Sequence, residues 1–353
     1  MRFASNPSEC LNVLAHSLLV GLVWAVTSAS GNSFAQVDRI YPITGNPVVG
    51  KITDIRPQAV AIEAGSATQT IPVDRIRRII FQDEPNPLTR GRDFALDGDF
   101  DQAIDSLTKV DFGAIKRDVI RADAMFFLAR SEAALALRGR GNLAEATRKM
   151  NGFVSANRQS YHFFKAARIL GDLAVASGSY EPAIRYYAAL SQAPIPELKI
   201  ESDYLTGVAH LRQGNLSEAQ SFLEKAIGAG IQSVDGLRLQ KLAKAAQSLA
   251  LAKQGQAEQG LAQLDSLIAE IDLVDAELAA SIYNSQGACF ESLDDAEGAV
   301  LAYLHTHLMF SGQAAAHAEA LQRLIELWPQ VGKPERAAQA RQELQQRYPG
   351  RVK

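Results

Sequence analysis

The stretch Gly214-Asn215-Leu216-Ser217-Glu218-Ala219 decides the fold, because its pattern recurs along the chain. Glycine is suited to ending a helix, since it adopts the left-handed conformation without a Cβ penalty. Asn215 is placed to cap a following helix, and Glu218 three residues later would complete a capping box. Ala219 is small enough to let two helices approach closely. The stretch therefore predicts a turn between two antiparallel helices.

Six further stretches share this pattern, beginning at residues 98, 141, 178, 255, 294 and 332. With residue 214 included, successive turns lie 43, 37, 36, 41, 39 and 38 residues apart. A period in this range is typical of solenoids of paired helices. One hairpin cannot bury its apolar face alone, so stacked hairpins must share a core. The sequence predicts a mainly α fold, an α-solenoid of about seven helix-turn-helix repeats preceded by a small all-β domain.

The residues around these turns resemble those of the tetratricopeptide repeat (TPR) family. Gly171 precedes Gly178 by seven residues, and Ala183 and Tyr187 follow it by five and nine. The turns at 98, 214 and 294 keep much of the same pattern. The resemblance covers about residues 87–349, although the family repeat is shorter, at about 34 residues. It implies a scaffold or adaptor that binds a protein or peptide in a concave groove lined by the first helix of each repeat.

Two positions on each first helix, ten and six residues before the turn, line this groove in family members that clamp peptides. Carried over to this sequence, they give a candidate peptide-binding groove made of Arg92, Ser131, Arg168, Asp172, Tyr204, Asn284 and Gln322. Tyr204 is the expected anchor, because aromatic side chains are enriched among the residues that dominate binding energy. The alternative is that these are ordinary exposed helix residues.

Residues 1–35 have the pattern of a secretory signal peptide. Arg2 precedes a mostly apolar stretch at 11–26, and Ser33 and Ala35 supply the small residues of a cleavage site. The apolar stretch is shorter than the about 20 residues that a spanning helix needs. We expect cleavage after Ala35 and export to a bacterial periplasm or cell envelope, or secretion. The alternative is an uncleaved anchor, which alone would bring the chain into contact with a membrane.

Residues 37–85 differ from the rest in composition, with short β-branched stretches separated by turn residues. The predicted strands are 38–43, 48–55, 59–64, 69–73 and 77–81. So few residues favour a bent barrel over a sandwich, and the pattern resembles a small Sm-like or Src-homology-type β-barrel. Prolines at 85 and 87 then separate this β domain from the helical repeat domain at 87–349. A β domain of this size is marginal alone, so we expect it to pack on the first hairpin.

Several function classes find no support in the sequence. The net charge is −3, which gives no overall electrostatic footprint for nucleic acid. His305 and His307 would face different sides of a helix, His317 is distant in sequence, and no cysteine pair exists, so we predict no metal site. The Gly45–Lys51 stretch lacks the Ser or Thr of a phosphate-binding loop, so we predict no cofactor.

We therefore predict a non-enzymatic exported adaptor with a protein or peptide partner. Two alternatives stay open: an enzyme with its site in the β domain or at the domain junction, and an architectural envelope protein that self-assembles through the barrel. Cys289 is the single cysteine that would survive cleavage, and we expect it to be a buried small hydrophobe.

Overall fold

The structure, a computed structural model, describes residues 37–349, which belong to one compact unit. The predicted signal peptide lies outside the described residues. The chain begins with five strands, β1 to β5, at Asp38–Pro42, Val48–Ile55, Ala59–Ala64, Ala67–Pro72 and Ile76–Ile80. A single 3₁₀ turn at residues 73–75 joins β4 to β5.

The strands form one antiparallel sheet in the order β4-β3-β2-β1-β5. The first half of β2 pairs with β1 and its second half pairs with β3, with an irregularity between Ile52 and Asp54. Gly50 stands at this change of partner, where a Cβ atom would lie 2.0 Å from the Glu63 carbonyl oxygen. The sheet thus bends where only glycine allows the close approach. A small N-terminal β domain is confirmed.

Fourteen helices follow among the described residues, and they pair into seven hairpins that we number repeats 1 to 7. They are α1 Asn86–Asp97, α2 Phe100–Leu107, α3 Asp118–Leu137, α4 Leu143–Ala156, α5 Phe163–Ala176, α6 Tyr180–Ala188, α7 Pro196–Gln213, α8 Leu216–Ile227, α9 Val234–Lys253, α10 Ala257–Glu270, α11 Ala276–Ser292, α12 Ala296–Met309, α13 Ala314–Leu327 and α14 Pro334–Arg347. The predicted fold class is confirmed. No helix of the described residues is both long and apolar enough to cross a membrane.

The predicted turns hold a left-handed residue in six of seven repeats, including Asp294, with a φ of 58°. In repeat 2 the predicted position was wrong by two residues, because Gly139 (φ 77°) and not Gly141 ends the helix. The N–H of Arg140 donates to the Leu135 carbonyl, which is the helix-ending bond seen in the other repeats. Two additional loop residues therefore precede α4.

The predicted caps form in part. The Asn142 side chain accepts a hydrogen bond from the Glu145 N–H, and Asp295 accepts one from Gly298. Asn215 does not cap α8; its amide donates to the Gln213 side chain instead, at 3.0 Å. The turn therefore depends more on the left-handed residue than on the cap.

Small residues bring the two helices of a hairpin together, as the sequence predicts. A Cβ atom on Gly171 would lie 2.2 Å from the Tyr187 ring, and one on Gly207 would lie 2.8 Å from Leu223. In repeat 5, Gly260 lies against Cys289, which is fully buried as expected. Burial raises the pKa of the Cys289 thiol to about 12, which makes it unreactive at neutral pH.

The β domain and the first repeats share one apolar cluster. It runs from Ile40 and Ile79 in the sheet to Leu88 on α1 and Phe126 on α3. Asp38 adds a polar link, because its carboxylate accepts hydrogen bonds from the Arg117 guanidinium. The sheet therefore packs on the first helices, and its small core is completed by theirs.

Candidate functional site

The first helices of repeats 4 to 7 line a groove whose cavity measures about 250 Å³. Neighbouring first helices contact one another directly, so their inward residues form one continuous surface. The floor of the groove is apolar and is made by Val208 on α7 together with Leu242, Ala246 and Leu249 on α9. This concavity follows from the stacking of hairpins, since the small residues of each repeat set how closely the helices approach.

Asn284 brings an unsatisfied acceptor to the groove wall. Its amide N–H donates to the Ala316 carbonyl at 2.9 Å, which ties α11 to α13. Its Oδ1 atom is buried and has no hydrogen-bond partner among the described residues. A buried acceptor left without a donor costs about 1–3 kcal/mol. A ligand that offers an N–H or O–H to this atom would recover that free energy, once a small side-chain movement at the groove wall exposes the atom.

Tyr204 stands beside this wall on α7. It is half-buried and packs against three apolar clusters, which contain Tyr187, Leu223 and Leu264 respectively. Burial raises the pKa of its phenol, and the nearby Glu277 carboxylate raises it further. The hydroxyl is therefore protonated at neutral pH and offers both a donor and an acceptor to the groove.

Ion pairs between different helices form the rim and extend beyond it, since Arg212, Glu319 and Glu277 line the groove whereas Arg238 and Asp275 lie outside its lining. Arg212 on α7 pairs with Glu319 on α13 at 2.6 Å, across 107 residues of sequence. Arg238 on α9 pairs with Asp275 and Glu277 at the start of α11, each at 2.6 Å. These side chains keep substantial exposure, and exposed pairs contribute only about 0–1 kcal/mol. They can therefore exchange partners with a charged ligand at little cost.

Arg168 and Asp172 lie on α5 and extend the polar surface toward repeat 3. Arg168 Nε lies 3.0 Å from a Glu201 oxygen, and Asp172 accepts a hydrogen bond from the Tyr187 hydroxyl at 2.9 Å. Burial raises the pKa of both Asp172 and Glu201, and Arg168 opposes the rise. The predicted residues Arg168, Asp172, Tyr204 and Asn284 thus all lie on first helices of repeats 3 to 6.

Two predicted groove residues are wrong, because they are fully buried. Arg92 pairs with Glu84 and Asp123, both at 2.7 Å, beneath the linker that joins the sheet to α1. Ser131 donates its hydroxyl to the Phe127 carbonyl one turn earlier in α3. Glu84 of the linker covers Arg92, and packing between helices buries Ser131.

The remaining predicted residue, Gln322, is half-buried on α13 about one turn beyond Glu319 and lies outside the groove lining. Sequence reasoning missed the rim residues Arg212 and Glu319. No local signal marks them, because they meet only through the curvature that four stacked repeats accumulate.

A second polar cluster lies at the junction of the β domain and the helices. The Asp123 carboxylate contacts Arg92, accepts from the Tyr161 hydroxyl and lies 2.8 Å from His162 Nε2. All four side chains are at most 4% exposed. Clustered titratable groups with shifted pKa values are typical of active sites. These four side chains have almost no access to solvent, so their evident role is to hold α3 against α1 and α5.

Metal-ligating side chains converge in one further place among residues 37–349, where His307, His317 and Glu343 meet. His305 faces away from this cluster and stacks on Tyr283. His305 and His307 therefore face different sides of α12, as expected. The fold brings His317, which is distant in sequence, close to His307.

The sequence matches no protein-family model and no curated protein sequence. Among solved structures, it is similar to a tetratricopeptide repeat protein from Parabacteroides merdae, with a TM-score of 0.52, 17% identity, and coverage of 74% of this chain and 91% of that one. It is also similar to a Rap protein complexed with Competence and Sporulation Factor, with a TM-score of 0.53, 14% identity, and coverage of 74% and 73%. The chain thus has the fold of a tetratricopeptide-type helical repeat protein.

Proposed function

We propose that this protein is a scaffold that binds an extended peptide segment of a partner protein in the groove of repeats 4 to 7. The observation that carries the proposal is Asn284, whose buried Oδ1 lacks a donor at the wall of an apolar-floored groove. A peptide backbone offers N–H groups along its whole length. One N–H would pair with Asn284 while an adjacent apolar side chain packs on Val208 and Leu242.

The rim favours a ligand with charged side chains at its ends. Arg212 and Arg238 each neutralise acidic partners on neighbouring helices. A bound carboxylate would replace Glu319 at Arg212, and a bound cation would pair with the released Glu319. Because these exchanges conserve charge pairs, they add specificity without a large desolvation cost.

The comparison with the Rap protein supports a ligand in this type of fold, because that structure is a complex with Competence and Sporulation Factor. We also propose that the chain is exported and that residues 1–35 are removed, on the signal-peptide pattern of the sequence. N-terminal sequencing of the protein from envelope fractions would test this. A first residue other than Gln36 would contradict cleavage after Ala35.

A displayed random-peptide library panned on the purified protein tests the binding site. We expect enriched peptides whose affinity falls at least about tenfold in Asn284→Ala and in Tyr204→Ala, because each removes a central contact. Gln259→Ala is the control, since Gln259 is an exposed amide on α10, the second helix of repeat 5. Equal affinity in Asn284→Ala, Tyr204→Ala and the control would place the binding surface elsewhere.

One observation favours self-assembly as a second candidate function. Leu301, Leu308 and Met309 lie exposed on one face of α12, the outer helix of repeat 6. Association of copies through this face would bury these three side chains. Light scattering on the wild type and on Leu308→Glu would test it, and a wild-type protein that stays monomeric would end this alternative.

A further inference from the structure

Three ligand-type side chains from three different helices converge at the C-terminal end of the solenoid. His307 lies on α12, His317 on α13 and Glu343 on α14. His307 Nδ1 lies 2.8 Å from His317 Nε2, and the Glu343 oxygens lie 3.7 Å from His317 Nε2 and 3.9 Å from His307 Nε2. One ligand atom from each residue lies within 4.8 Å of the others.

We propose that His307, His317 and Glu343 form a binding site for a divalent transition metal, with Zn²⁺ as the best fit. Two imidazoles and one carboxylate form a donor set that zinc accepts, whereas Ca²⁺ and Mg²⁺ prefer oxygen ligands alone. Zinc bonds of about 2.0–2.2 Å in tetrahedral geometry place ligand atoms about 3.3 Å apart. His307 faces His317 with Nδ1 and Glu343 with Nε2, so a metal ion would take one of these two nitrogens. The three ligand atoms lie within 4.8 Å of one another, so movements of up to about 1.5 Å would complete the site.

The surroundings hold the three ligands in place. His317 Nδ1 lies 2.8 Å from the Tyr348 hydroxyl, so that Nε2 is left to face His307 and Glu343. An outer hydrogen bond of this kind is typical of metal-binding histidines, because it fixes the ring and its tautomer. Arg347 pairs with Glu343 at 3.0 Å and also donates to the Ser311 carbonyl. It anchors the carboxylate but also brings a positive charge, which lowers the affinity for a cation.

The site is open on one side. His317 is fully buried, whereas the side chains of His307 and Glu343 keep 23% and 33% of their exposure. A metal ion can therefore enter from solvent, and a water molecule would complete its coordination. Bound metal would tie α12 of repeat 6 to both helices of repeat 7. The end of repeat 7 also lies near the repeat 2 turn, where a Cβ atom on Gly139 would lie 3.0 Å from the Tyr348 Cα atom. A metal link would therefore fix a part of the chain that contacts two distant repeats.

Zinc titration of the full chain, prepared without a histidine tag, tests the site against a competing chromophoric chelator. We expect one Zn²⁺ per chain, with affinity reduced at least about tenfold in His307→Gln and in Glu343→Gln. His305→Gln is the matched control, because it removes an exposed imidazole from the same helix without touching the cluster. It should bind zinc as the wild type does.

Substitution with Co²⁺ gives a second readout, since tetrahedral cobalt with nitrogen ligands has strong visible absorption. The wild type and His305→Gln should show these bands, and His307→Gln should lack them while keeping its far-ultraviolet circular dichroism. A wild type that binds Zn²⁺ no more tightly than His307→Gln would overturn the proposal and leave a plain imidazole–imidazole hydrogen bond. A His307→Gln variant with unchanged cobalt bands would also overturn it.

Discussion

Asp123 carries a negative charge in a place without solvent exposure, so its stability depends entirely on its neighbours. Arg92 supplies the opposite charge at 2.7 Å, and Tyr161 and His162 approach the other oxygen. Burial acts to raise the pKa of Asp123, but Arg92 and the hydrogen bonds outweigh it and lower that pKa overall. The carboxylate is therefore charged, and Arg92 is neutralised by it and by Glu84.

Asp123→Asn should destabilise the protein by about 1–3 kcal/mol, because the amide cannot accept hydrogen bonds from Arg92, Tyr161 and His162 together, although Glu84 still pairs with Arg92. Urea unfolding monitored by circular dichroism would measure this. Asp118→Asn on the same helix is the control, since the Asp118 side chain is 93% exposed and pairs only with Arg121 at the surface. Its cost should stay within about 1 kcal/mol. Equal costs for the two variants would contradict the role given to Asp123.

His162 predicts a pH dependence of stability. It stacks on the Phe126 and Tyr161 rings, and burial lowers its pKa from 6.5 to about 4 although Asp123 opposes the shift. Between these values the unfolded chain binds a proton that the native chain does not. The contribution of His162 to the free energy of unfolding should therefore be constant above pH 6.5. Below it, the free energy of unfolding should fall by about 3 kcal/mol toward pH 4.

The measurement is urea unfolding of the wild type and His162→Gln at several pH values from 7 to 5. Lys165 and Arg92 also act on this ring and lower its pKa, and both are present in the wild type and in the variant. Subtracting the two curves therefore isolates the histidine. Parallel curves would show that His162 titrates normally in the native protein.

At the scale of one hairpin, the approach of two helices depends on glycine. A Cβ atom on Gly171 of α5 would lie 2.2 Å from the ring of Tyr187 on α6. That ring is buried and its hydroxyl is held by Asp172, so it cannot move aside freely. Gly171→Ala should therefore destabilise the protein by about 1–3 kcal/mol through overpacking.

Gly152→Ala provides the opposite case on α4. Gly152 is exposed within the helix, and a Cβ atom there would meet nothing within 4 Å. Alanine should then stabilise the helix by about 0.5–1 kcal/mol, because it loses less backbone entropy on folding. Thermal melts of the two variants should shift in opposite directions, and a rise in both would remove the steric argument for Gly171.

For the whole molecule, sequence reasoning succeeds where the signal is local. A turn residue and a small residue five positions later are read within one hairpin, so seven repeats follow from the sequence. The same reasoning fails in repeat 2, because Gly139 and Gly141 are both candidates for the residue that ends the helix and they lie two residues apart. It fails again at Arg92, since nothing near α1 in sequence shows that the β domain covers it.

The candidate site is predictable only in part for the same reason. Counting residues back from a turn places Tyr204 and Asn284 on first helices, and this count uses the sequence of a single repeat. The pairing of Arg212 with Glu319 needs the summed rotation of four repeats. The meeting of His307 with His317 needs the packing of α12 on α13, which no spacing rule for a single helix contains.

The apolar cluster shared by the β domain and the first repeats predicts which parts of the molecule unfold together. Ile79 in β5 is fully buried and belongs to the cluster that includes Leu88 and Phe126. Ile79→Ala should cost about 2–5 kcal/mol. Because most packing is between adjacent elements, amide hydrogen exchange should accelerate most in the strands, α1 and α3, and least in α13 and α14. Acceleration confined to the strands would show an independent β domain, and acceleration throughout would show a molecule without local units.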